Sequence, residues 1–119
     1  MLKKQRKIKI LVLERDERIS QLLLEILTKE GHAVETADDG LKGVELFEKK
    51  EFDLVFTDLG MPGMNGWQVA EKIKSINERV PVVLITGCNI EPKELEHKKK
   101  WIDHIIYKPF EIDQVLGIV

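Results

Sequence analysis

The fold is decided by one stretch of the sequence, Phe52-Asp53-Leu54-Val55-Phe56-Thr57-Asp58-Leu59-Gly60-Met61-Pro62-Gly63-Met64-Asn65-Gly66. Its first half is apolar and rich in β-branched and aromatic residues, which is typical of a buried strand. Asp58 ends that run, and the glycines and proline that follow it interrupt regular structure. A carboxylate at the carboxyl end of a buried strand lies where open α/β sheets bind their ligands. On this stretch alone a second role is equally open, in which Asp58 caps the loop by accepting hydrogen bonds from its backbone amides.

Length and composition indicate one ordinary globular domain spanning residues 1–119. The chain is 43% hydrophobic and 34% charged, and its net charge of -2 predicts no general attraction to nucleic acid or to anionic membranes. No apolar run is long enough to span a bilayer. The single cysteine, Cys88, excludes an internal disulfide and suits a reducing compartment, so we expect a cytoplasmic protein. The basic segment 1–7 is predicted to be a solvated tail or a linker remnant.

Short apolar runs alternate with segments of helical periodicity along the whole chain. Strands are predicted at 8–13, 33–37, 52–57, 81–86 and within 102–107, and a helix is predicted after each of them. We expect the second helix to bury Leu41, Val44 and Phe47, and a polar fourth helix to run over 92–100. Alternating strands and helices mean a parallel sheet that is covered on both faces and joined by right-handed crossovers. The predicted fold is therefore a doubly wound (βα)5 three-layer α/β sandwich.

Four of the predicted strands are followed by a polar side chain. These residues are Glu14, Asp58, Thr86 and Lys108. The carboxyl ends of parallel strands share one edge of a sheet, so these four side chains should lie together. With the strand order 2-1-3-4-5 of flavodoxin-like folds, the first and third strands are neighbours. Glu14 would then face Asp58 across a crevice, within reach of a hydroxyl and a cation.

These residues carry a family resemblance that runs from Ile8 to Val119. The chain resembles a receiver domain of two-component signalling, the domain type of bacterial response regulators. The segment Asp58–Gly66 is similar to the loop that begins at the phosphoacceptor aspartate of that family. Thr86 and Lys108-Pro109 fall where the family has its hydroxyl and its lysine. Residues 57–67 and 84–87 also resemble receivers attached to hybrid sensor histidine kinases.

The resemblance implies a function for each of these residues. Asp58 would accept a phosphoryl group from a histidine kinase or a histidine phosphotransfer domain, and Thr86 and Lys108 would hold phosphoryl oxygens. The implied cofactor is Mg²⁺, bound by Glu14, Asp58 and the backbone carbonyl of Gly60. We expect a module that at most promotes its own phosphorylation and dephosphorylation, rather than an enzyme. It would signal to a downstream or covalently attached effector, without contacting nucleic acid or a membrane itself.

One residue departs from the family pattern at the predicted metal site. The family places two acidic residues at the end of the first strand, whereas this chain has Glu14-Arg15. Arg15 could turn to solvent, leaving fewer metal ligands, or bond Asp58 through its planar fork and obstruct the phosphoryl group. Asp16 could also replace the missing acid. We expect weakened Mg²⁺ binding, and the alternative function is a degenerate pseudo-receiver that binds proteins independently of phosphorylation.

A second departure concerns the fifth strand. The aromatic residue whose rotamer responds to the threonine in this family falls at the position of Ile105. Tyr107 is expected to point to the opposite face of the sheet. Switching would then depend on Thr86 and the loop 87–90.

The sequence argues against flavin binding, a histidine metal site and a reactive thiol. A flavin-carrying flavodoxin needs a phosphate-binding loop after the first strand, and the segment Glu14–Glu17 is acidic and lacks glycine. The three histidines form no metal-ligand spacing and are expected at the surface or at strand ends. Cys88 is expected to be an unreactive loop cysteine, because no base is predicted beside it.

Overall fold

The computed structural model describes residues 6–119, in which five strands alternate with five helices. The strands are β1 (Lys9–Leu13), β2 (Ala33–Ala37), β3 (Leu54–Asp58), β4 (Val82–Thr86) and β5 (His104–Tyr107). The helices are α1 (Glu17–Lys29), α2 (Gly40–Lys49), α3 (Gly66–Ile76), α4 (Pro92–Lys98) and α5 (Ile112–Leu116), and a 3-10 turn, Lys99–Trp101, follows α4. The predicted tail lies mostly outside the described residues, and residues 6–8 precede β1 without regular secondary structure.

The sheet has the order β2-β1-β3-β4-β5, and every neighbouring pair is parallel. The doubly wound α/β prediction and its strand order are confirmed. Leu13 pairs with Thr57 across β1 and β3, and Asp58 pairs with Ile85 across β3 and β4. This register brings Glu14, the residue after β1, to the same edge as Asp58.

The core has two parts, one on each face of the sheet. Alternate residues of β1 serve the two faces, since Ile10 and Val12 belong to one cluster and Leu11 and Leu13 to the other. The first cluster is covered by α1 and α5, which contribute Leu23, Leu27 and Val115. The second is covered by α2 and α3, which contribute Val44, Phe47, Val69, Ala70 and Ile73. Because β1, β3 and β4 are buried on both faces, the site at their ends rests on a closely packed base.

The buried face of α2 differs from the prediction. Leu41 was expected to be buried, yet 52% of it is exposed. The inward positions are taken by Gly40 and Gly43 together with Val44 and Phe47. Gly43 packs against the side chain of Leu13, where an added Cβ would clash. Glycine carries no hydrophobic signal, so the apolar pattern alone assigned the wrong residue to the face.

The carboxyl-terminal ends of α1 and α4 differ in how each helix stops. Gly31 follows α1 with φ +94°, the left-handed conformation in which glycine ends helices. The α4 helix ends two residues earlier than expected, at Lys98, and no residue of α4 is buried. None of the helices within residues 6–119 is long and apolar enough to cross a membrane.

The orientation of Tyr107 was predicted wrongly. Ile106 is 3% exposed and belongs to the cluster under α1 and α5. Its neighbours Ile105 and Tyr107 are two residues apart, so both lie on the other face of β5. Tyr107 is 46% exposed there. The aromatic side chain therefore shares a face with Ile105 instead of opposing it.

Candidate functional site

The four polar residues predicted at the strand ends are brought together by the parallel sheet. Glu14, Asp58 and Thr86 are 2%, 9% and 1% exposed, respectively. Burial of polar groups to this degree is costly unless they have partners. The fourth residue, Lys108, supplies a cation to this group.

The ammonium group of Lys108 lies between the two carboxylates. Its Nζ is 3.0 Å from Oε1 of Glu14 and 3.5 Å from Oδ2 of Asp58, and the Lys108 side chain is 19% exposed. The backbone N–H of Lys108 donates to the carbonyl of Thr86 at 2.8 Å, which fixes the start of the lysine side chain beside β4. One positive charge thus faces two carboxylates in a largely dehydrated pocket.

Glu14 is the most constrained member of the site. Its Oε2 accepts a hydrogen bond from the backbone N–H of Asp16 at 3.0 Å. Its Oε1 is buried and has no hydrogen-bond partner among residues 6–119, although the ammonium of Lys108 is close by. Burial raises the pKa of the Glu14 carboxyl above its ordinary value. The Asp16 amide and Lys108 oppose that rise in pKa, and the Asp58 carboxylate adds to it.

The Thr86 hydroxyl has one defined partner. Its Oγ1 accepts a hydrogen bond from the backbone N–H of Cys88 at 3.1 Å. Because the oxygen is the acceptor, the hydroxyl proton remains free to be donated to another group. This turn after β4 was not predicted, although hydroxyl residues often bond a backbone N–H two residues later.

The loop after β3 is tied to the start of α2. The N–H of Gly40 donates to the carbonyl of Pro62 at 3.0 Å, and the N–H of Gly66 donates to the carbonyl of Leu59 at 2.8 Å. Gly63 has φ +78°, which favours glycine, and it lies against the Asp39 carboxylate that caps α2. Gly60 is exposed, and no heavy atom lies within 4 Å of the place where a Cβ would be.

Arg15 is exposed and forms no ion pair with Asp58. Its side chain lines a polar cleft of about 670 Å³ between α1 and α2, which Glu14 also lines. Within residues 6–119 it takes part in no ion pair; Asp58 and Glu14 are paired with Lys108 instead. Of the two arrangements expected for Arg15, the structure has the solvent-facing one.

Asp16 is committed to helix α1. Its carboxylate caps the helix by accepting from the N–H of Arg18 at 2.9 Å, and it pairs with the Arg18 guanidinium at 3.5 Å. The bond from the Arg18 amide lowers the pKa of Asp16. Replacing the missing metal-binding acid would therefore cost Asp16 its capping bond.

The oxygen donors of the site meet the minimum that Mg²⁺ requires. The described residues contain no group of three or more His, Cys, Asp or Glu side chains that could hold a metal ion. Glu14 and Asp58 remain, and Mg²⁺ is commonly bound by one or two carboxylates while it keeps several waters. Oε1 of Glu14 has no hydrogen-bond partner among the described residues and faces the Lys108 ammonium at 3.0 Å, so it is an oxygen that a second cation could also contact. The residues therefore fit the ion, with few protein ligands.

His32 is the one histidine whose surroundings differ from a simple surface position. It lies directly before β2 and is 3% exposed. Its Nδ1 accepts a hydrogen bond from the N–H of Ile8 at 3.1 Å, and its Nε2 has no partner among the described residues. His97 and His104 are exposed, as is Cys88. His32 precedes β2 and therefore lies at the amino ends of the parallel strands, the edge opposite the site, where its bond with Ile8 joins the start of β2 to the residue before β1.

Comparison with protein families identifies the chain. Residues 10–119 match the family described as the response regulator receiver domain. The chain belongs to this family. The receiver domain is 34% identical over 115 residues to the probable transcriptional regulatory protein SilR of Salmonella typhimurium, covering 93% of this chain and 49% of that protein. It is 32% identical over 109 residues to the transcriptional regulatory protein RprY of Bacteroides fragilis, covering 92% and 46%.

A third relative is similar to this receiver domain over nearly its whole length. Sporulation initiation phosphotransferase F of Bacillus subtilis is 32% identical over 111 residues, covering 93% of this chain and 90% of that protein. The receiver domain thus spans about half the length of the two transcriptional regulators and most of the length of the phosphotransferase.

Solved structures agree with the assignment of the fold. A CheY-like response regulator receiver domain protein of Methanospirillum hungatei superposes with a TM-score of 0.88 at 25% identity, covering 95% of this chain and 90% of that one. The chemotaxis protein CheY4 of Vibrio cholerae gives a TM-score of 0.85 at 25% identity, with coverage of 95% and 96%. The receiver resemblance seen in the sequence is confirmed.

Proposed function

We propose that this receiver domain accepts a phosphoryl group on Asp58 from a phosphohistidine of a histidine kinase or a phosphotransfer domain. The observation that carries the proposal is the position of Lys108, whose ammonium lies 3.5 Å from Oδ2 of Asp58 and 3.0 Å from Oε1 of Glu14. A nucleophilic carboxylate and a fixed cation side by side form a suitable site for a group as negative as a phosphoryl.

The transfer itself is a substitution at phosphorus. An oxygen of Asp58 forms the new bond to phosphorus, the phosphorus–nitrogen bond of the phosphohistidine breaks, and its electron pair returns to the imidazole nitrogen. Lys108 would then pair with a phosphoryl oxygen, and the free hydroxyl proton of Thr86 would be donated to another. Both groups are already held by β4 and the residues after β5, so little reorganisation is needed.

Mg²⁺ would be held by Glu14, Asp58 and the carbonyl of Gly60, and it would supply further positive charge to the phosphoryl oxygens. We propose that its affinity is lower than in receivers with a second acid after the first strand. Arg15 contributes no ligand, and its positive charge is adjacent in sequence to Glu14.

The partners follow from the relatives and from the chemistry. Receiver domains interact with histidine kinases and phosphotransfer proteins, and we propose one of these as the donor. The output would pass to an effector, either attached to this domain or separate from it, with no direct nucleic-acid contact by the domain itself. We propose no activity beyond the gain and loss of its own phosphoryl group.

A pseudo-receiver is the second candidate, and one observation favours it. Lys108 is closer to Glu14 than to Asp58, and the raised pKa of Glu14 reflects a poorly solvated carboxyl rather than an open metal ligand. A site already neutralised in this way could remain unphosphorylated and serve as a protein-binding module.

Intact-mass spectrometry after incubation with acetyl phosphate tests the two functions. The parent, Asp58→Asn, Arg15→Asp and the control Asp113→Asn, on the exposed side of α5, are each incubated with and without Mg²⁺. A phosphoryl adduct in the parent and the control that is lost in Asp58→Asn supports the receiver function. An adduct in Arg15→Asp but not in the parent would establish a scaffold silenced by Arg15, and would support the pseudo-receiver.

A further inference from the structure

Phosphorylation would leave the site short of positive charge. Two carboxylates, Glu14 and Asp58, already share the one ammonium of Lys108. A phosphoryl group carries a charge of about -1.5 to -2 near neutral pH, so the phosphorylated site is more negative than the unmodified one. In a pocket where Glu14 and Thr86 are almost fully buried, that excess is only weakly screened by water. When Mg²⁺ is scarce, a second cation from the protein itself would offset that excess close to Asp58.

Arg15 is the available cation. It follows Glu14 directly and lines the same cleft as Glu14. Of the neighbouring basic residues, Lys42 pairs with Asp38 at 3.5 Å and Arg18 pairs with Asp16 at 3.5 Å. Lys49 also lines the cleft without an ion pair to any described residue, but it is the last residue of α2, at the end of the helix away from the loop after β3. Arg15 takes part in no ion pair among residues 6–119, although Glu17 and Asp38 line its cleft. An exposed side chain without a partner loses little when it moves.

We propose that Arg15 is a phosphoryl-binding residue of the phosphorylated state. On phosphorylation its guanidinium turns from the α1–α2 cleft, past Glu14, and binds phosphoryl oxygens on Asp58. The inference rests on the proposed phosphorylation of Asp58. The planar fork of arginine can bind two phosphoryl oxygens at once, and its guanidinium is always charged. It should therefore bind a phosphoryl group more strongly than it binds a carboxylate that is already paired with Lys108. Before phosphorylation Lys108 already pairs with Asp58, so Arg15 remains in solvent.

The proposal predicts a phosphoryl site that depends little on metal. Arg15 and Lys108 would together neutralise the phosphoryl group when Mg²⁺ is scarce. A cation that stabilises the transferred group also stabilises the negative charge of the transition state. The chain should therefore be phosphorylated at a measurable rate in EDTA, and that rate should depend on Arg15.

The test combines a rate with a direct spectroscopic signal. Adduct formation from acetyl phosphate in EDTA is followed by intact mass for the parent, Arg15→Gln and Arg15→Lys. The control is Arg18→Gln, because the guanidinium of Arg18 is exposed in the first turn of α1. We expect the rate to fall at least tenfold in Arg15→Gln, to be partly retained in Arg15→Lys and to be unchanged in Arg18→Gln. In ¹⁵N-labelled protein, the side-chain Nε–H resonance of Arg15 should shift on phosphorylation while that of Arg79 stays in place.

The outcomes separate this inference from the proposed function. An adduct that is lost in Asp58→Asn, but forms as fast or faster in Arg15→Gln and leaves the Arg15 resonance unmoved, would overturn the inference alone. That result would mean that Arg15 merely occupies the place of a metal-binding acid. The absence of any adduct in the parent, with or without Mg²⁺, would overturn both the proposed function and the inference that rests on it.

Discussion

The side-chain nitrogen of Lys108 lies 3.0 Å from Oε1 of Glu14, closer than the 3.5 Å that separate it from Oδ2 of Asp58. The lysine that should hold a phosphoryl oxygen is therefore paired mainly with the acid from β1 in the unmodified protein. A phosphoryl group on Asp58, or a cation at Glu14, would each move Lys108 toward Asp58. The Lys108–Glu14 pair is thus the contact that phosphorylation is expected to change first.

The buried carboxyl of Glu14 should make stability depend on pH. Its pKa is raised in the folded protein, chiefly by burial, so the folded state binds its proton more tightly than the unfolded chain does. The resulting stabilisation is fully present below the ordinary glutamate value of 4.5 and is lost as pH rises through the raised pKa. Glu14→Gln imitates the neutral form. We expect it to exceed the parent in free energy of unfolding near neutral pH.

Urea unfolding in EDTA across a pH series measures this effect. The difference between Glu14→Gln and the parent should shrink as pH falls and vanish below 4.5, the ordinary value of a glutamate pKa. Glu45→Gln, on the exposed side of α2, serves as the control and should follow the parent at every pH. A parent that is the more stable protein near neutral pH would show that the ion pair with Lys108 outweighs burial.

The sheet and the strand-end residues could be predicted because their signals are strong. A strand buried on both faces is mostly apolar, so β1, β3 and β4 appear as mainly apolar runs, with Lys9 at the exposed start of β1 and Thr57 near the end of β3. The first polar residue after such a run marks the strand end, as Glu14 and Asp58 do. Parallel topology then places all these ends at one edge, whatever the detailed packing.

The remaining features depend on three-dimensional packing that a pattern does not contain. Leu41 was assigned to the core because glycine, which fills the inward positions of α2, carries no apolar signal. His32 is buried through a bond with Ile8, which is 24 positions away in the chain. The direction of Arg15 is a choice of rotamer, and its sequence position alone allowed two arrangements. The sequence therefore predicted which residues stand at the strand ends, but not how their side chains pair or where they point.

The capping role of Asp16 gives a stability prediction. Asp16→Ala removes the acceptor for the N–H of Arg18 at the start of α1, and should lower the free energy of unfolding measurably. Asp16→Asn keeps an acceptor oxygen and should recover most of that loss. The measurement is urea unfolding of both variants beside the parent. If Asp16→Asn instead weakened Mg²⁺ binding, measured by calorimetry, Asp16 would be a metal ligand after all.

The contact between the loop after β3 and α2 gives a third prediction. In Gly40→Ala the new Cβ would clash with the carbonyl of Met64, so the loop must move. Overpacking of this kind costs about 1–3 kcal/mol, and we also expect slower phosphorylation because the loop begins at Asp58. The matched control is Gly87→Ala, where the nearest atoms lie 4.0 Å from the new Cβ and stability should change little. Equal stability of Gly40→Ala and Gly87→Ala would show that the loop yields freely.

The hydroxyl of Thr86 gives the last prediction, because it has two roles that can be separated. As an acceptor it satisfies the N–H of Cys88, and as a donor it has a free proton at the end of β4, the strand next to the one that ends at Asp58. Thr86→Val keeps the shape but removes both functions, so we expect a loss of about 0.5–1.5 kcal/mol in stability and a slower rate of phosphorylation. Thr86→Ser keeps the hydroxyl and should preserve both properties. If Thr86→Val is less stable but is phosphorylated at the parent rate, the hydroxyl acts only in the turn after β4. The charge of the transferred group would then be neutralised by Lys108 and the other cations alone.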